Sequence, residues 1–314
     1  MPSDARLIVA ARAGDEQAFV RLTSPHRPSL HRHCYRLLGS VHDADDALQE
    51  TLLRAWQAVE RFEPRSPLGA WLYRIATNVC LRMLEQRTRL PATSVDAHLE
   101  PYPQQLVDDL GPDRLAEERE SIGLAFVAAM QLLPPKQRAT LVLRDVLGWS
   151  AREVADLLDD SVAAVNSALQ RARQRLDRER ADGSLARMHA PFPKSEAAVM
   201  RRFQEAWDAV DIDGLVSLLA GDALMTMPPE GMRVVGAAGI GEFFATVPLA
   251  GRLDRIRLIP GRANGQPFLA AYADGTGYGL MVFAITGDRI AGITGFPYRA
   301  ELFERHGLPA ELAA

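Results

Sequence analysis

Four polar side chains in the middle of the chain carry groups that can read nucleic acids. Asn166 and Gln170 have amides, which can form paired hydrogen bonds with the edge of adenine. Arg171 and Arg173 have guanidinium groups, which suit phosphate or guanine. The spacing of four residues between the amides places them on one face of a helix. The chemistry they offer is recognition of duplex DNA by contact, with no covalent step.

Two amphipathic helices would have to position these side chains. Apolar residues recur at helical spacing on both sides of a short polar break, first at Val154, Ala155 and Leu158 and then at Val165, Leu169, Ala172 and Leu176. Asp159-Asp160-Ser161 supplies a turn and a helix cap, so the segment predicts a helix-turn-helix with its second helix in the major groove. The outward residues of that helix are Ser161, Ala163, Ala164, Asn166, Ser167, Gln170, Arg171 and Arg173. Many helical hairpins imitate this pattern, so alone it is weak evidence.

The C-terminal third offers few groups for acid–base catalysis. Asp222 and Asp274 are candidates by elimination, His306 lies in a polar tail, and His189 lies just upstream. They form no credible His/Asp couple. The sequence has no Cys/His metal spacing and no phosphate loop, and residues 275–279 are too short and wrongly placed for a dinucleotide fingerprint. We therefore expect no catalytic residue, no metal, no cofactor and no enzyme activity.

The bulk charge argues against a free-standing DNA binder. The 314 residues carry 36 basic and 40 acidic side chains, a net charge of −4. Two local patches are basic: residues 61–89 hold six arginines and two glutamates, and residues 161–180 hold five arginines and two acids. Patches this modest predict weak, salt-sensitive DNA binding that needs a partner protein.

The cysteines and the N-terminus indicate the compartment. Cys34 and Cys80 lie in apolar helical patterns, where buried thiols are expected rather than a disulfide framework. The N-terminus has no basic region followed by an apolar core, and no run of about 18 apolar residues occurs. We expect a protein of the reducing cytoplasm that does not enter a membrane.

Periodicity and breaks divide the chain into three folded parts. Helical spacing dominates residues 10–90 and 118–180, and the proline-rich stretch 91–117 between them is predicted to be a linker. Residues 193–314 begin with two helical stretches and continue in β-type runs, the last two joined by a hairpin at Thr286-Gly287-Asp288. The runs cover 223–227, 232–235, 268–272, 279–285 and 290–296. We expect them to form a curling antiparallel sheet in an α+β domain.

Two stretches of the first helical part carry a family resemblance. They are Asp46-Ala-Leu-Gln-Glu50, with its continuation Leu53-Arg54-Ala55-Trp56, and Gly69-Ala-Trp-Leu-Tyr-Arg-Ile-Ala-Thr-Asn78. They resemble region 2 of a sigma factor, the promoter-recognition subunit of RNA polymerase. On periodicity alone the helix face around Asp46 is a solvated surface. The resemblance implies instead that core polymerase is bound by Asp46, Gln49, Glu50 and Arg54.

Residues 62–87 supply cations and polar groups beside aromatic side chains. Capture of unstacked bases needs apolar pockets for the base and cations for the backbone. Trp71, Leu72 and Ile75 stand at helical spacing and are expected in the core. The segment is similar to the −10 reading and melting region of extracytoplasmic-function (ECF) sigma factors. This similarity implies single-strand contacts by Arg65, Ser66, Asn78, Arg82 and Arg87.

The run before the helix-turn-helix strengthens that prediction. Leu133-Pro-Pro-Lys-Gln-Arg138 and Ser150-Ala-Arg-Glu-Val-Ala-Asp-Leu-Leu158 resemble sigma region 4, the −35-binding module. The resemblance implies −35 contacts by Ser161, Ala164, Asn166, Ser167, Gln170, Arg171 and Arg173. Typical members carry a lysine and an arginine near Asn166 and Ala168, and their absence here leaves the −35 sequence open. Primary sigma factors have a further domain where this chain has only its linker, so the layout of residues 15–176 is typical of the ECF class.

The C-terminal part has a layout of its own. A helix pair, short strands, the helix Ile240-Gly-Glu-Phe-Phe-Ala245 and longer strands resemble the SnoaL-like domain, a conical α+β fold of the NTF2-like type around a pocket. The fragments Ala206-Trp207 and Gly221-Asp-Ala-Leu-Met-Thr-Met-Pro228 support this resemblance. A subgroup of ECF sigma factors carries such an extension, and Leu99-Glu-Pro-Tyr-Pro103 and the tail 302–309 look like that subgroup. The expected fold is two all-α sigma modules followed by an NTF2-like cone.

The resemblance implies a sigma factor that binds core RNA polymerase and promoter DNA and directs transcription initiation. We expect the C-terminal domain to regulate the sigma modules in cis, by shifting them between compact and polymerase-ready arrangements, and leave open a small ligand in the cone. Two alternatives stay open: a one-component helix-turn-helix regulator with a ligand-sensing cone, and a SnoaL-type cyclase or isomerase. The sequence does not reveal the promoter, the signal, the oligomeric state or whether an anti-sigma protein exists.

Overall fold

The chain forms two compact units. A computed structural model describes residues 4–63, 67–88, 99–108, 123–181, 195–228 and 231–313. The first unit combines residues 1–92 with 130–174, and the second combines residues 93–129 with 175–314. Most of the predicted linker therefore belongs to the same unit as the C-terminal part.

The first unit begins with a helical bundle. Its helices are α1 (Asp4–Arg12), α2 (Glu16–Thr23), α3 (Arg27–Leu38), α4 (Val41–Ala58) and α5 (Leu68–Thr88). Gly39 ends α3 in the left-handed region with φ 76°, and Ser40 Oγ then accepts a hydrogen bond from the Asp43 N–H at 3.1 Å to start α4. Cys34 and Cys80 are fully buried between helices of the bundle, as the sequence predicts.

A short helix and a helix-turn-helix module follow. The elements are α6 (Gln105–Asp108), α7 (Leu124–Gln131), α8 (Pro135–Leu141), a π-helical turn (Val142–Val146), α9 (Ala151–Leu158) and α10 (Val162–Ala181). Ser150 and Glu153 form a capping box that starts α9, and Asp159 ends it with φ 51°. Ser161 Oγ accepts from the Ala164 N–H at 3.1 Å and starts α10. The predicted helix-turn-helix and its cap are confirmed.

The second unit carries a six-stranded sheet with helices packed against it. Its elements are α11 (Glu196–Asp208), α12 (Ile212–Leu218), β1 (Leu219–Met227), β2 (Met232–Val235), α13 (Ala237–Thr246), β3 (Ile256–Ala263), β4 (Gln266–Ala273), β5 (Thr276–Thr286), β6 (Arg289–Pro297) and α14 (Ala300–Arg305). The strand order is β2-β1-β6-β5-β4-β3. The expectation of a wholly antiparallel sheet is wrong, because β1 pairs parallel with β6. Strand β3 was not predicted.

Two tight turns and an aromatic core organise this unit. The hairpin predicted at Thr286-Gly287-Asp288 is confirmed between β5 and β6. A second hairpin joins β3 to β4 through Asn264 and Gly265, whose φ values of 55° and 71° match the Asn-Gly turn that suits strand twist. The core includes the rings of Phe203, Trp207, Phe244 and Phe283. The predicted α+β fold class is confirmed.

Candidate nucleic-acid and polymerase interfaces

Helix α4 presents a polar face at the predicted polymerase contacts. Asp46 and Gln49 are exposed. Glu50 is half-buried and pairs with Arg54, whose Nε lies 2.6 Å from Glu50 Oε1. Leu53 stands on the same face, seven residues after Asp46, with 52% of its surface exposed. An exposed leucine among hydrogen-bonding groups suits docking on another protein.

Helix α5 carries two of the predicted −10 contacts on its surface. Asn78 and Arg82 are exposed and one helical turn apart. Arg65 and Ser66 lie outside the described residues. Of the residues expected in the core, Leu72 is fully buried, and Trp71 and Ile75 are half-buried. The exposed amide and guanidinium are available to a nucleic acid backbone or base.

Arg87, the remaining predicted −10 contact, is held inside the bundle. Its guanidinium forms an ion pair with Asp43 of α4, and its Nη1 donates to the Leu38 carbonyl at the end of α3, at 3.3 Å. Both side chains of the ion pair are largely shielded from solvent. The arginine therefore ties α5 to α3 and α4, and a contact with DNA would compete with these bonds.

A buried histidine also holds α5 to α3. The Thr77 hydroxyl donates to the Tyr73 carbonyl at 2.8 Å, so it accepts from His33 Nε2, which lies 2.8 Å away. His33 is fully buried, and this burial, with a smaller contribution from Arg36, lowers its pKa to about 3. The ring is therefore neutral at physiological pH.

Helix α10 exposes most of its predicted −35 contacts. Asn166, Ser167, Gln170 and Arg171 are exposed. Ser161 is exposed too, but its hydroxyl caps the helix, and Ala164 is half-buried. Arg173 forms a bidentate salt bridge with Asp145: Nε donates to Oδ2 at 3.0 Å and Nη2 donates to Oδ1 at 2.7 Å. The free amides stand toward the start of the helix, the end that commonly contacts base edges.

Within the first unit, α5 packs directly against the helix-turn-helix module. The Arg74 guanidinium donates to the carbonyl of Asp156 in α9 at 2.7 Å. The ring of Tyr73 meets Trp149 edge to face, with centroids 6.0 Å apart. The surface that carries the predicted −10 contacts is therefore in contact with the module that carries the predicted −35 contacts.

Arg138 joins these two modules from the inside. It is only 4% exposed, and its guanidinium donates to the Leu37 carbonyl at the end of α3. The same group donates to the Gln131 side-chain oxygen, to the Gln131 carbonyl at 2.9 Å and to the Leu133 carbonyl at 3.1 Å. Burial lowers the pKa of Arg138 to about 10, with a smaller contribution from the charge of the nearby Arg87. Sequence reasoning missed this role, since Lys136-Gln137-Arg138 has the polarity of a surface segment.

In the second unit, the linker lies on the β3–β4 hairpin. The Tyr102 N–H donates to Asn264 Oδ1 at 2.7 Å, and the Asn264 N–H donates back to the Tyr102 carbonyl at 2.8 Å. Gln104 Oε1 accepts from the Gly265 N–H at 3.1 Å. Tyr102 and Asn264 are almost completely buried. We call this set of contacts, Tyr102 and Gln104 on Asn264 and Gly265, the linker latch.

Residues on both sides of the latch also contact the C-terminal domain. Glu100 lies 3.3 Å from the Arg299 guanidinium, and Leu99 and Val107 are buried. Gln266 Oε1 accepts from the Leu124 N–H at 3.0 Å, so the first residue of α7 is bound to the same hairpin. The described part of the predicted linker, residues 99–108, is thus packed on the C-terminal domain.

The candidate acids of the C-terminal domain stand apart from its interior. Asp222 is exposed, and Asp274 sits in a turn with φ 49° and pairs with Arg255, whose Nε is 3.0 Å from Oδ1. His306 was expected in a polar tail, but it is buried against Phe268, and burial lowers its pKa. His189, the remaining candidate, lies outside the described residues.

Neither a metal-binding cluster nor a membrane-spanning helix occurs within the described ranges. There, no group of three or more His, Cys, Asp or Glu side chains could hold a metal ion. Within those ranges, every helix is too short or too polar to cross a membrane.

Comparison with known families identifies both helical modules. Residues 22–90 match the model of Sigma-70 region 2, and residues 123–176 match that of Sigma-70, region 4. The ECF RNA polymerase sigma factor SigG of Mycobacterium tuberculosis H37Rv is 40% identical over 332 aligned residues, which cover 97% of this chain and 89% of the relative. The ECF sigma factor SigW of Bacillus subtilis is 29% identical over 181 aligned residues, which cover 56% of this chain and 95% of SigW.

A solved structure has the same fold over nearly the whole chain. The crystal structure of the M. tuberculosis extracytoplasmic function sigma factor SigJ superposes with a TM-score of 0.64 at 23% identity. The match covers 93% of this chain and 100% of SigJ. The order of helical modules followed by an α+β domain is therefore shared with a protein of distant sequence.

Proposed function

This chain belongs to the ECF sigma factors of RNA polymerase, and we propose that its C-terminal domain regulates it in cis by holding the linker between the sigma modules. A sigma factor directs promoter-specific initiation and is not an enzyme, so the cyclase or isomerase alternative is set aside. The one-component regulator is set aside as well, because such a protein has no need of region 2. The cytoplasm, where polymerase meets the chromosome, is the place of action.

We assign the roles of the surfaces as follows. The face of α4 with Asp46, Gln49 and Glu50 docks on core polymerase, with Leu53 as its apolar contact. Asn78 and Arg82 of α5 contact the −10 strand. The face of α10 with Asn166 and Gln170 contacts the −35 duplex. Support for these assignments comes from their exposure and from the match of each segment to its sigma region.

The main support for regulation in cis is the contact between α5 and the helix-turn-helix module. The −10 and −35 elements lie roughly 25 base pairs apart, or ~85 Å of B-DNA at about 3.4 Å per base pair. Tyr73 and Trp149, one from each module, have ring centroids 6.0 Å apart. Both modules cannot occupy their elements while they touch. This closed arrangement must therefore open before promoter binding.

The linker latch supports the proposal because it shortens the chain available for opening. From Thr88 to Leu124 the free chain could span about 125 Å when fully extended, at about 3.5 Å per residue. With Leu99 buried, the latch made and Leu124 bound to Gln266, the tether between α5 and the held part of the linker is shortened to the stretch from Thr88 to Leu99. That tether spans only about 40 Å. Holding the linker thus favours the closed arrangement, and releasing it favours the open one.

The proposal is tested by transcription with purified core polymerase. Asn264→Gly removes the acceptor for the Tyr102 N–H, while glycine keeps the positive φ of the turn. Asp288→Gly is the matched control in the β5–β6 turn. We expect the Asn264 variant to raise initiation several-fold at limiting polymerase and the Asp288 variant to match the wild type.

Two other results would count against different parts of the proposal. Equal output from both variants and the wild type rejects regulation through the latch and leaves the sigma activity intact. If the wild-type chain and both variants support no initiation from any genomic fragment, the promoter-recognition role itself is rejected for this chain.

A further inference from the structure

The second unit encloses a cavity between its helices and one face of its sheet. Its volume is about 320 Å³, and its walls come from α11, α13 and all six strands. Protein interiors are close-packed, and their voids rarely exceed one water molecule, which occupies about 30 Å³. Ligand sites begin at about 300 Å³. We propose that this cavity binds a small, neutral, mainly apolar organic molecule.

The lining chemistry sets the class of ligand. Among the described residues that line the cavity, none is charged and none is a histidine. Trp207 Nε1 is already used, since it donates to the Ile256 carbonyl at 3.1 Å. Tyr278 is the other lining residue with a polar side-chain atom, and it is 40% exposed at the rim. An ionised ligand would lose its hydration here and find no countercharge, which costs free energy. A neutral ligand does not carry this cost.

The walls are adaptable as well as apolar. Four methionines line the cavity: Met225, Met227, Met232 and Met281. Methionine side chains are unbranched and polarizable, so they can repack around ligands of different shape and contact aromatic rings favourably. Phe243 and Phe244 complete the apolar wall on the side of α13. The lining therefore suits an aromatic molecule or a medium-length aliphatic one.

A strained turn stands at the mouth of the cavity. Val247 and Pro248 line it, and Val247 is 55% exposed, so the cavity communicates with solvent on this side. The next two residues, Leu249 and Ala250, have φ values of 46° and 55°. These values lie in the left-handed region, which residues other than glycine rarely adopt. Backbone strain of this kind concentrates at ligand clamps. The strain lies at the entrance that a ligand would use.

Binding is measured on the full chain, without polymerase, so the outcome does not depend on the regulatory proposal. The probe is N-phenyl-1-naphthylamine, a neutral aromatic amine whose fluorescence rises in apolar surroundings. We expect saturable binding of one probe per chain. We expect 1-decanol to displace it at a concentration about tenfold lower than decanoate, because the carboxylate meets no cation in the lining. Equal potency of the two competitors, or no saturable binding, overturns the proposal.

Two pairs of variants locate the bound probe. Ala271→Leu fills space inside the cavity, and Ala273→Leu makes the same change further along β4, outside the lining. Val247→Trp narrows the mouth, and Val235→Trp places the same ring at another exposed position, outside the lining. The first variant of each pair should weaken binding about fivefold or more, and its partner should stay close to the wild type.

The second pair keeps the test decisive if Ala271→Leu does not fold, because both of its valines are exposed and tolerate substitution. If the Val247 and Val235 variants bind the probe equally, and any folded Ala271 variant binds like the wild type, the probe lies elsewhere and the proposal fails.

Discussion

Replacing Arg138 with methionine should destabilise the first unit more than any surface change. Arg138 is only 4% exposed, and the substitution keeps an unbranched apolar stem while it removes the guanidinium, which donates to four acceptors. Three of these acceptors are backbone carbonyls, of Leu37, Gln131 and Leu133. They would lose their donor in a place that water does not readily reach.

The size of the effect follows from two opposing contributions. Charged hydrogen bonds contribute about 1.5–3 kcal/mol each, so four of them give roughly 8 kcal/mol. Burial of the cation opposes this, since a pKa lowered from 12.5 to about 10 corresponds to about 3 kcal/mol. The net expectation is a loss of roughly 5 kcal/mol, at the upper end of the range of about 3–5 kcal/mol for breaking a buried charged network.

Urea titration followed by hydrogen exchange of peptides from the first unit measures this loss separately from the second unit. Arg152→Met is the matched control, because Arg152 is exposed on α9, and it should change stability by about 0.5 kcal/mol or less. Arg138→Lys keeps the charge without the forked geometry and should fall between the two. A loss below about 1 kcal/mol for Arg138→Met would refute the view that this guanidinium holds the modules together.

Three further predictions concern titration, thiol access and DNA reading. His33 has a pKa of about 3 in the folded state, so between pH ~6.5 and pH 5 only the unfolded state binds a proton at this residue. The free energy of unfolding of the first unit should therefore fall by about 2 kcal/mol by pH 5. His33→Gln should remove this pH dependence in the same exchange assay. Burial raises the pKa of Cys80, and Cys34 is equally buried, so a thiol reagent at pH 8 should label neither until urea is added; rapid native labelling would contradict this. In binding assays of the holoenzyme, Gln170→Ala should relax −35 preference at one base pair by about 1–3 kcal/mol, whereas Arg171→Ala should weaken all sequences alike and reduce the salt dependence.

The elements that the sequence predicted are those fixed by neighbours along the chain. The helix-turn-helix could be predicted because Asp159 and Ser161 act on helices that begin or end beside them. The β5–β6 hairpin could be predicted for the same reason. Strand β3 escaped because Pro260 and Gly261 interrupt its pattern, which an edge strand tolerates. The Asn264-Gly265 turn after it was a signal that could have revealed the strand.

The contacts that escaped are long-range ones with no local pattern. Arg138 bonds to a carbonyl 101 residues away, and Tyr102 to a side chain 162 residues away. An arginine whose acceptors are carbonyls has no acidic partner to mark it in the sequence. The ion pair of Arg87 escaped for a related reason: the residue type and position fit a contact with DNA, and only the fold brings Asp43 to it. Which face of an arginine-rich helix is free depends on packing that periodicity does not describe.

The position of the linker along the sheet has a consequence for the solubility of the released factor. Strand β3 is an edge strand, and Pro103 of the linker forms a bridge to its last residue, Ala263. An uncovered edge is a template for strands of other chains, and proteins protect edges with prolines and covering segments. When the linker leaves, the backbone at Ala263 and Asn264 loses its cover. We therefore expect a chain whose linker has been released, and which finds no polymerase, to self-associate more readily than the latched chain.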